Sequence, residues 1–381
     1  MITQSSLGLS SLRLSSLKPF SARLFQLRLF TVKLFTVKLS PQKLTCIALQ
    51  VVGSIMLEQA SGLRVEYPVT KTTLNPNDSP RLLRRELLHP RYWPIWLGFG
   101  LAALVTLLPH RLQMKIGTGI GALGYHVAKR RRHIVEVNIA LCFPELSQQQ
   151  RQQLVRQTLR SVGISLIETA RVWIWNPRLI RRRVTIHGIE HLHAAVARGH
   201  GVLLLGMHLS TLDFCGAALG CDIDMDVMYR ANANPLLETL MTRGRMKSFP
   251  RAIERNDVRG VLRSLKQGHV VWYGADQDYG RKQAEFVPFF GVPAATITGP
   301  ARLAKLSGAT ALVFSHYRRP GDDHYDIYLS APLADFPSGD SVLDTTQINQ
   351  MVEAAVRFHP EQYWWVHRRF KTRPKGLPDV Y

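Results

Sequence analysis

Residues 183–208 read RVTIHGIEHLHAAVARGHGVLLLGMH and alternate short apolar runs with an amphipathic helical stretch. The run VLLLG is apolar throughout, which is typical of a strand buried on both faces of a parallel sheet. Three later stretches repeat the pairing of a helix with an apolar run, at 224–246, 260–278 and 302–319. This alternation predicts an α/β fold whose mixed, partly parallel central sheet is flanked by helices.

The composition is that of a globular protein with a strong positive charge. The 381 residues are 46% hydrophobic, enough for a sizeable core, and the formal net charge is +22. Such an excess favours polyanionic partners: nucleic acid, anionic lipid head groups, phosphorylated substrates or an acidic carrier protein. The scattered cysteines lack CxxC and zinc-like spacing, which indicates free thiols in a reducing compartment. They are Cys46, Cys142, Cys215 and Cys221.

Residues 1–57 form a basic extension without Asp or Glu. Seven basic residues recur there every five positions, and leucine follows six of them. This period matches neither that of a helix nor that of a strand. We expect a translated tandem DNA repeat upstream of the true start codon, with a basic targeting or membrane-surface segment as the alternative. The seven residues are Arg13, Lys18, Arg23, Arg28, Lys33, Lys38 and Lys43.

Three further segments follow the extension. Residues 58–88 are polar and proline-bearing, as in a linker. Residues 89–112 contain fourteen almost wholly apolar residues between Pro94 and Pro109, fewer than the ~20 that a helix needs to cross a bilayer. Tryptophan and tyrosine crowd one end, so we predict a shallowly embedded membrane anchor helix, with a full span or a buried core helix as alternatives. Residues 113–381 are predicted to form the main domain.

The first part of the main domain, 129–175, is predicted to be helical, and Ser147 is a plausible N-cap after the turn at Pro144. The basic cluster 129–132 would then lie near the anchor. There it is suited to contact phospholipid phosphates.

His208 stands just beyond the apolar run 201–206, and the carboxyl ends of strands are where α/β folds commonly bind ligands. If His208 lies in the turn and Asp213 in the first turn of the next helix, the carboxylate can hold the imidazole Nδ1–H. Nε2 is then free to act as a base. The alternative is a helix start with Ser210 as N-cap and Asp213 in a capping-box-like position. This stretch alone leaves both interpretations open.

Two other apolar runs also end in polar residues. Arg230 follows the first and is suited to hold phosphate or to stabilise developing negative charge, with an ordinary surface arginine as the alternative. Asp276, Asp278 and Arg281 follow the second. Further metal ligands at useful spacing are missing, so we expect these acids to bind arginine or substrate hydroxyls rather than a metal.

The stretch 360–374, PEQYWWVHRRFKTRP, interleaves aromatic with basic residues. Such a pattern is typical of a nucleic-acid surface, and equally of a helix end lying on lipid. The residues concerned are Tyr363, Trp364, Trp365, His367, Arg368, Arg369, Lys371 and Arg373.

Seven strings of the sequence resemble the lipid A biosynthesis late acyltransferases, most of all the lauroyl type. They are HPRYW, KRRRHIVEVNIALCFPE, GMHLSTLD, YRANANPLLETLMTRGR, VVWYGADQDYG, FVPFFGVPAATITGPARLAKLSGA and PEQYWWVHRRFKTRP. The similarity runs in order from about residue 89 to the C-terminus. It implies a glycerolipid-acyltransferase-like α/β fold with an N-terminal apolar membrane-anchoring helix, and makes 113–381 the acyltransferase domain.

The resemblance also implies roles for individual residues. The family's HxxxxD/E motif falls on His208 and Asp213, although many lauroyl-type relatives carry Glu at the second position. Its supporting arginine falls on Arg230 and the acid of its third block on Asp276, as substrate-binding or oxyanion-stabilising residues. In this scheme His208 is the general base, Asp213 fixes its tautomer, and Arg230 or backbone N–H groups meet the tetrahedral oxyanion.

The implied reaction transfers a fatty acyl group from acyl carrier protein to a hydroxyl of the Kdo-bearing lipid A precursor, without a metal or organic cofactor. The implied location is the bacterial inner membrane, in contact with its lipids, with the catalytic domain on the cytoplasmic side. The alternatives are a sister enzyme that uses palmitoleoyl or myristoyl chains and an acyl-cysteine route through Cys215. From other classes, they are a basic nucleic-acid-binding protein and a membrane-anchored scaffold without activity.

Overall fold

The computed structural model describes residues 82–381. The predicted extension 1–57, residues 58–81 of the predicted linker and Cys46 lie outside the described residues. The last linker residues already pack against the fold, because Arg85–Leu88 forms a 3-10 turn in which Leu87 is buried.

Five helices precede the first strand within this part of the chain. They are α1 (Trp93–Val105), α2 (His110–Val127), α3 (Lys129–Cys142), α4 (Gln148–Ile174) and α5 (Pro177–Arg181). The predicted N-cap of α4 is confirmed: the Ser147 hydroxyl accepts a hydrogen bond from Gln150 N at 3.3 Å, and the Gln150 side chain accepts one from Ser147 N at 2.8 Å. In the basic cluster 129–132, Arg131 is buried, whereas Lys129 and Arg130 are exposed.

The single anchor helix predicted over 89–112 is wrong in its extent. The apolar helix α1 ends at Val105, and α2 begins at His110, directly after Pro109. Proline lacks the N–H that a continuous helix needs at this point, so the two helices are separate. No helix of the described chain combines the length and the apolar character required to cross a bilayer.

Helix α1 is apolar on all sides but is covered on one side only. Ile95 is buried, the Trp96 indole donates to the Leu87 carbonyl at 2.8 Å, and the Phe99 ring lies 6.3 Å from that of Trp173 on α4. The other side of α1 leaves large hydrophobic side chains in solvent. They are Trp93, Leu97, Leu101 and Leu104.

The predicted mixed sheet is confirmed and has seven strands. They are β1 (Val184–His187), β2 (Val202–Gly206), β3 (Met225–Tyr229), β4 (Arg251–Glu254), β5 (Val270–Gly274), β8 (Thr310–Arg318) and β9 (Tyr325–Leu329). They lie in the order β1-β9-β8-β2-β5-β3-β4, and only the β8–β9 pair is antiparallel. Strands β6 (Ala284–Phe289) and β7 (Val292–Ile297) form a separate antiparallel hairpin.

Six helices are interspersed among these strands or follow them. They are α6 (Ile189–Ala197), α7 (Leu212–Leu219), α8 (Pro235–Arg245), α9 (Val258–Lys266), α10 (Gly299–Ser307) and α11 (Ser341–Phe358). Helices on both sides of the sheet explain why β2, its central strand, is apolar at every position. Leu203 and Leu205 pack into one hydrophobic cluster, and Val202 and Leu204 pack into the other. The parallel strands β2 and β5 end level with each other, since Gly206 pairs with Gly274.

Candidate active site

His208 lies in the turn between β2 and α7, as predicted, and Asp213 lies in the first turn of α7. Ser210 is not the N-cap, because α7 begins at Leu212 and the cap position is occupied by Thr211. The Ser210 hydroxyl instead lies 2.8 Å from the Ser161 hydroxyl of α4. The helix-cap alternative therefore does not account for His208, which is left half-buried at the carboxyl edge of the sheet.

The carboxylate that holds His208 is Asp276, two residues beyond the end of β5. Its Oδ1 lies 2.6 Å from His208 Nδ1, and its Oδ2 accepts the His208 backbone N–H at 2.9 Å. The expectation that Asp213 occupies this position is wrong. Asp213 lies five residues after His208, in the first turn of α7. There its carboxylate accepts a hydrogen bond from the Thr169 hydroxyl of α4 at 3.0 Å. Asp213 acts on His208 only through its charge.

The contact between His208 and Asp276 shifts the pKa values of both residues. Burial alone would lower the pKa of His208, but the charge and hydrogen bond of Asp276 outweigh it and raise the pKa above its usual value. Burial would likewise raise the pKa of Asp276, and His208 holds it well below its usual range. An ionised carboxylate only accepts hydrogen bonds, so His208 carries its proton on Nδ1. Nε2 is left to act on a substrate.

Two glycines make room for this arrangement. A Cβ at Gly274 would lie 2.8 Å from His208 Cε1 and 3.0 Å from the Trp272 ring, and a Cβ at Gly206 would collide with the Trp272 indole. The Trp272 ring packs edge-on to the His208 imidazole at 5.8 Å between centroids. The strand-ending glycines thus allow histidine and tryptophan to pack directly against the backbone.

The C-terminal stretch 360–370 is part of the site rather than a surface. Ser210 N donates to the Gln362 carbonyl at 2.7 Å, and Trp364 N donates to the His208 carbonyl at 2.9 Å. Both the nucleic-acid and the lipid-facing interpretations are wrong for its central residues, because Tyr363, Trp365 and Arg369 are buried. The guanidinium of Arg369 lies inside the fold, where it donates to the Ala295 carbonyl at 2.8 Å.

A narrow cleft lies beside His208. Its lining comprises Asn138, His208, Asp276, Gln277, Tyr363, Trp364, Trp365, His367 and Arg369. Seven of these nine residues come from the loop after β5 or from the C-terminal stretch. Of those seven, only Asp276 is predicted from the sequence to be a site residue.

The remaining predicted residues occupy the same edge of the sheet. Arg230 is exposed just after β3, and its charge acts on Tyr279 in the loop after β5. Asp278 is buried and accepts hydrogen bonds from the Thr372 N–H at 2.8 Å and from the Thr372 hydroxyl at 2.9 Å, so it ties this loop to the C-terminal stretch. Arg281 lies against the same stretch and donates to the Arg373 carbonyl.

The structure also bears on the cysteine and metal alternatives. Cys215 is fully buried in α7, and burial raises the pKa of its thiol well above the usual value, which disfavours the thiolate that a nucleophile requires. Within residues 82–381, no group of three or more His, Cys, Asp and Glu side chains is arranged to hold a metal ion. The absence of a cofactor remains a prediction.

The match to a family model decides which family the site belongs to. Residues 83–372 match the model of the bacterial lipid A biosynthesis acyltransferases. The chain belongs to this family. The prediction from the sequence strings is therefore confirmed, and this lipid A acyltransferase is an enzyme of the acyl-transfer class.

Several members with known names resemble this lipid A acyltransferase over almost their whole length. The lipid A biosynthesis lauroyltransferase of Escherichia coli (strain K12) is 42% identical over 296 residues, which cover 77% of this chain and 97% of that protein. The palmitoleoyltransferase of the same organism is 38% identical, with 78% and 97% covered, and the myristoyltransferase is 29% identical, with 77% and 91% covered. A crystal structure of 1-acyl-sn-glycerophosphate acyltransferase from Thermotoga maritima aligns with a TM-score of 0.32 and 12% identity, over 68% of this chain and 97% of that one. At that score the likeness decides nothing about this chain.

Proposed function

We propose that this lipid A acyltransferase transfers a fatty acyl group, lauroyl foremost, from acyl carrier protein to a hydroxyl of the Kdo-bearing lipid A precursor. The observation that carries the proposal is the His208–Asp276 pair, which fixes the Nδ1 tautomer of a histidine that lines a cleft at the strand ends. This arrangement suits removal of a proton from an attacking hydroxyl. The relative with the highest identity quoted above is a lauroyltransferase.

In the proposed reaction, His208 Nε2 takes the proton of the acceptor hydroxyl while the hydroxyl oxygen forms a bond to the carbonyl carbon of the thioester. The π electrons of the carbonyl move to its oxygen and form a tetrahedral oxyanion. When the intermediate collapses, the C=O bond is restored, the C–S bond breaks, and the proton on Nε2 passes to the leaving thiolate. Asp276 stabilises the transient imidazolium through Nδ1, a role that we assign to it instead of Asp213.

The charge of the chain supports the proposed partners. A carrier protein is acidic and the acceptor bears phosphates and carboxylates, so both are attracted to a protein of net charge +22. Arg230, exposed at the same edge of the sheet as His208, is proposed to bind an anionic group of the acceptor. Asp213 is proposed to support the imidazolium through its charge alone.

The proposed location is the bacterial inner membrane, with the catalytic domain on the cytoplasmic side, and the exposed side of α1 supports the membrane contact in this proposal. Trp93, Leu97, Leu101 and Leu104 are exposed together on this helix. Arg91 and Arg111 stand near its two ends. A helix with such residues in solvent is suited to embed shallowly among lipid head groups.

A sister activity is the second candidate, because the palmitoleoyltransferase is only slightly less similar than the lauroyltransferase. The direct test incubates the purified chain with lauroyl-, myristoyl- and palmitoleoyl-loaded carrier protein and the Kdo-bearing precursor. Mass spectrometry then identifies the product. We expect the lauroyl product to form fastest and His208→Ala protein to form none above background. A faster palmitoleoyl or myristoyl reaction supports the sister enzyme, and transfer from none of the three donors contradicts the proposal.

A further inference from the structure

We infer that His367 is a second catalytic histidine, whose neutral Nδ1–H donates a hydrogen bond to the carbonyl oxygen of the acyl thioester as that oxygen becomes an oxyanion. The inference rests on the acyl transfer proposed above and extends it by one residue that neither the family motif nor the strand-end pattern marks. It follows from the tautomer of the ring, its place in the cleft and the state of its two nitrogens.

The hydrogen bonds of His367 settle which nitrogen carries the proton. The backbone N–H of Asp278 points to Nε2 at 3.3 Å. Because a backbone N–H only donates, Nε2 must present its lone pair, and the proton of the neutral ring lies on Nδ1.

The Nδ1–H of His367 is a buried donor without a protein partner in the part of the chain that the structure describes. Leaving such a donor unpaired costs about 1–3 kcal/mol, so a group of this kind calls for a reason. His367 lines the same cleft as His208, which is where a substrate oxygen must come. The thioester carbonyl is the one acceptor that the reaction brings there and on which negative charge develops.

Hydrogen bonds hold the backbone of His367 in place. The Asn138 side chain donates to the His367 carbonyl at 2.8 Å, and His367 N donates to the Trp364 carbonyl at 3.1 Å. Trp364 N in turn donates to the His208 carbonyl at 2.9 Å. Trp364 therefore links the backbones of the two histidines.

The electrostatic surroundings keep His367 neutral while His208 cycles. Burial, together with the charges of His208, Lys371 and Arg369, outweighs the attraction of Asp276 and lowers the pKa of His367 to about 3. His208 has its pKa moved in the opposite direction by direct contact with Asp276. The two rings are thus separated in function: His208 exchanges protons, and His367 retains its proton and offers it as a hydrogen bond. A neutral imidazole used as an electrophile is an established catalytic pattern.

Three substitutions of His367 test separately the hydrogen bond that Nδ1 donates and the one that Nε2 accepts. His367→Asn places an amide near the position of Nδ1 and loses the acceptor for Asp278 N. His367→Leu has nearly the same size and loses both the Nδ1 donor and the Nε2 acceptor. The side-chain amide of His367→Gln reaches the position of Nε2, but this variant loses the Nδ1 donor. The control is His193→Leu, a substitution of an exposed histidine on α6. For each protein we would measure kcat, KM for the lauroyl-carrier donor, and the melting temperature.

Removal of one oxyanion donor typically lowers kcat about 10²–10³-fold. We expect that loss for His367→Leu and His367→Gln, with KM little changed, while His367→Asn stays within about tenfold of the wild type and His193→Leu equals it. Rescue by Gln but not by Asn would mean that the bond to Asp278 matters instead, and would overturn the inference. Wild-type kcat in the folded Leu variant would overturn it as well. A wild-type protein that transfers no acyl group would overturn the proposed function and this inference with it, whereas the outcomes above overturn the inference alone.

Discussion

Two buried carboxylates in this enzyme each hold a basic side chain, and they differ in what they leave unbound. Glu168 on α4 accepts both Arg318 Nε at 2.6 Å and Arg318 Nη2 at 2.7 Å, and also the Tyr325 hydroxyl at 2.6 Å. Asp276 binds His208 with both oxygens, but through Nδ1 and the backbone N–H only. In the first cluster the carboxylate and the arginine are bound to other protein groups, whereas in the second the Asp276 carboxylate leaves His208 Nε2 unbound, on a residue that lines the cleft.

The electrostatics follow the same division. Burial would lower the pKa of Arg318, but Glu168 outweighs it and raises the pKa, so the arginine stays charged at any ordinary pH. His208 is a group whose proton can leave within the physiological range. We therefore propose that the Glu168 cluster stabilises the fold and that the Asp276 pair takes part in the reaction. A substitution in the Asp276 pair should therefore lower kcat, whereas one in the Glu168 cluster should lower the stability of the fold.

The largest expected effect is on the reaction, from Asp276→Asn. The amide cannot stabilise the imidazolium and does not enforce the Nδ1 tautomer, so we expect kcat to fall about 10²–10⁴-fold. The melting temperature should change little, although kcat falls by orders of magnitude. Steady-state kinetics with the lauroyl-carrier donor and thermal melting of the same preparation give both quantities. A variant that retains wild-type kcat would place the orienting role elsewhere.

The next effect is on stability, from Arg318→Met. Breaking a buried ion pair leaves Glu168 uncompensated and typically costs about 3–5 kcal/mol. Denaturant unfolding should show this loss, while kcat at a temperature where the variant is folded should change by less than about tenfold. The matched control is the double variant Glu168→Gln/Arg318→Met, which removes the unpaired charge and should recover part of the lost stability. A large drop in kcat with unchanged stability would erase the distinction between the two clusters.

The smallest expected effect comes from Cys215→Ser. The buried thiol has a raised pKa and takes no part in either cluster, so the transfer rate should equal that of the wild type. Mass spectrometry of enzyme quenched during turnover should find no acylated cysteine. Loss of transfer in a folded Ser variant, or an acyl adduct on Cys215, would instead support the acyl-cysteine route.

Much of the fold was predictable because it depends on local patterns. The run VLLLG at 202–206 is a central strand, the capped helix after Ser147 is present, and His208 lies at a strand end. The partner of His208 was not predictable, since Asp276 is 68 residues away and reaches it only because β2 and β5 are neighbours in register. The nearer Asp213 fits a local motif, but the start of α7 turns it toward Thr169.

The C-terminal stretch shows the other limit of sequence patterns. Basic and aromatic residues together are typical of a surface, yet Arg369 finds buried acceptors in Ala295 and Thr296 on β7. Long-range hydrogen bonds of this kind leave no periodic signal in the sequence. The signal that does exist is the pairing of Gly206 and Gly274, because two strands that end in glycine at one edge indicate side chains packed closely against the backbone.

The most direct test of the central claim, that Asp276 and not Asp213 orients His208, is the pH dependence of kcat/KM in the wild type, Asp276→Asn and Asp213→Asn. Nε2 must be unprotonated to act as a base, so activity falls on the acid side with the pKa of His208, which lies above its usual value in the wild type. Without the Asp276 carboxylate, burial remains and lowers that pKa. We therefore predict that Asp276→Asn moves the acid limb clearly to lower pH, and that Asp213→Asn moves it less. A larger shift in Asp213→Asn, or an unmoved limb in Asp276→Asn, would contradict the account.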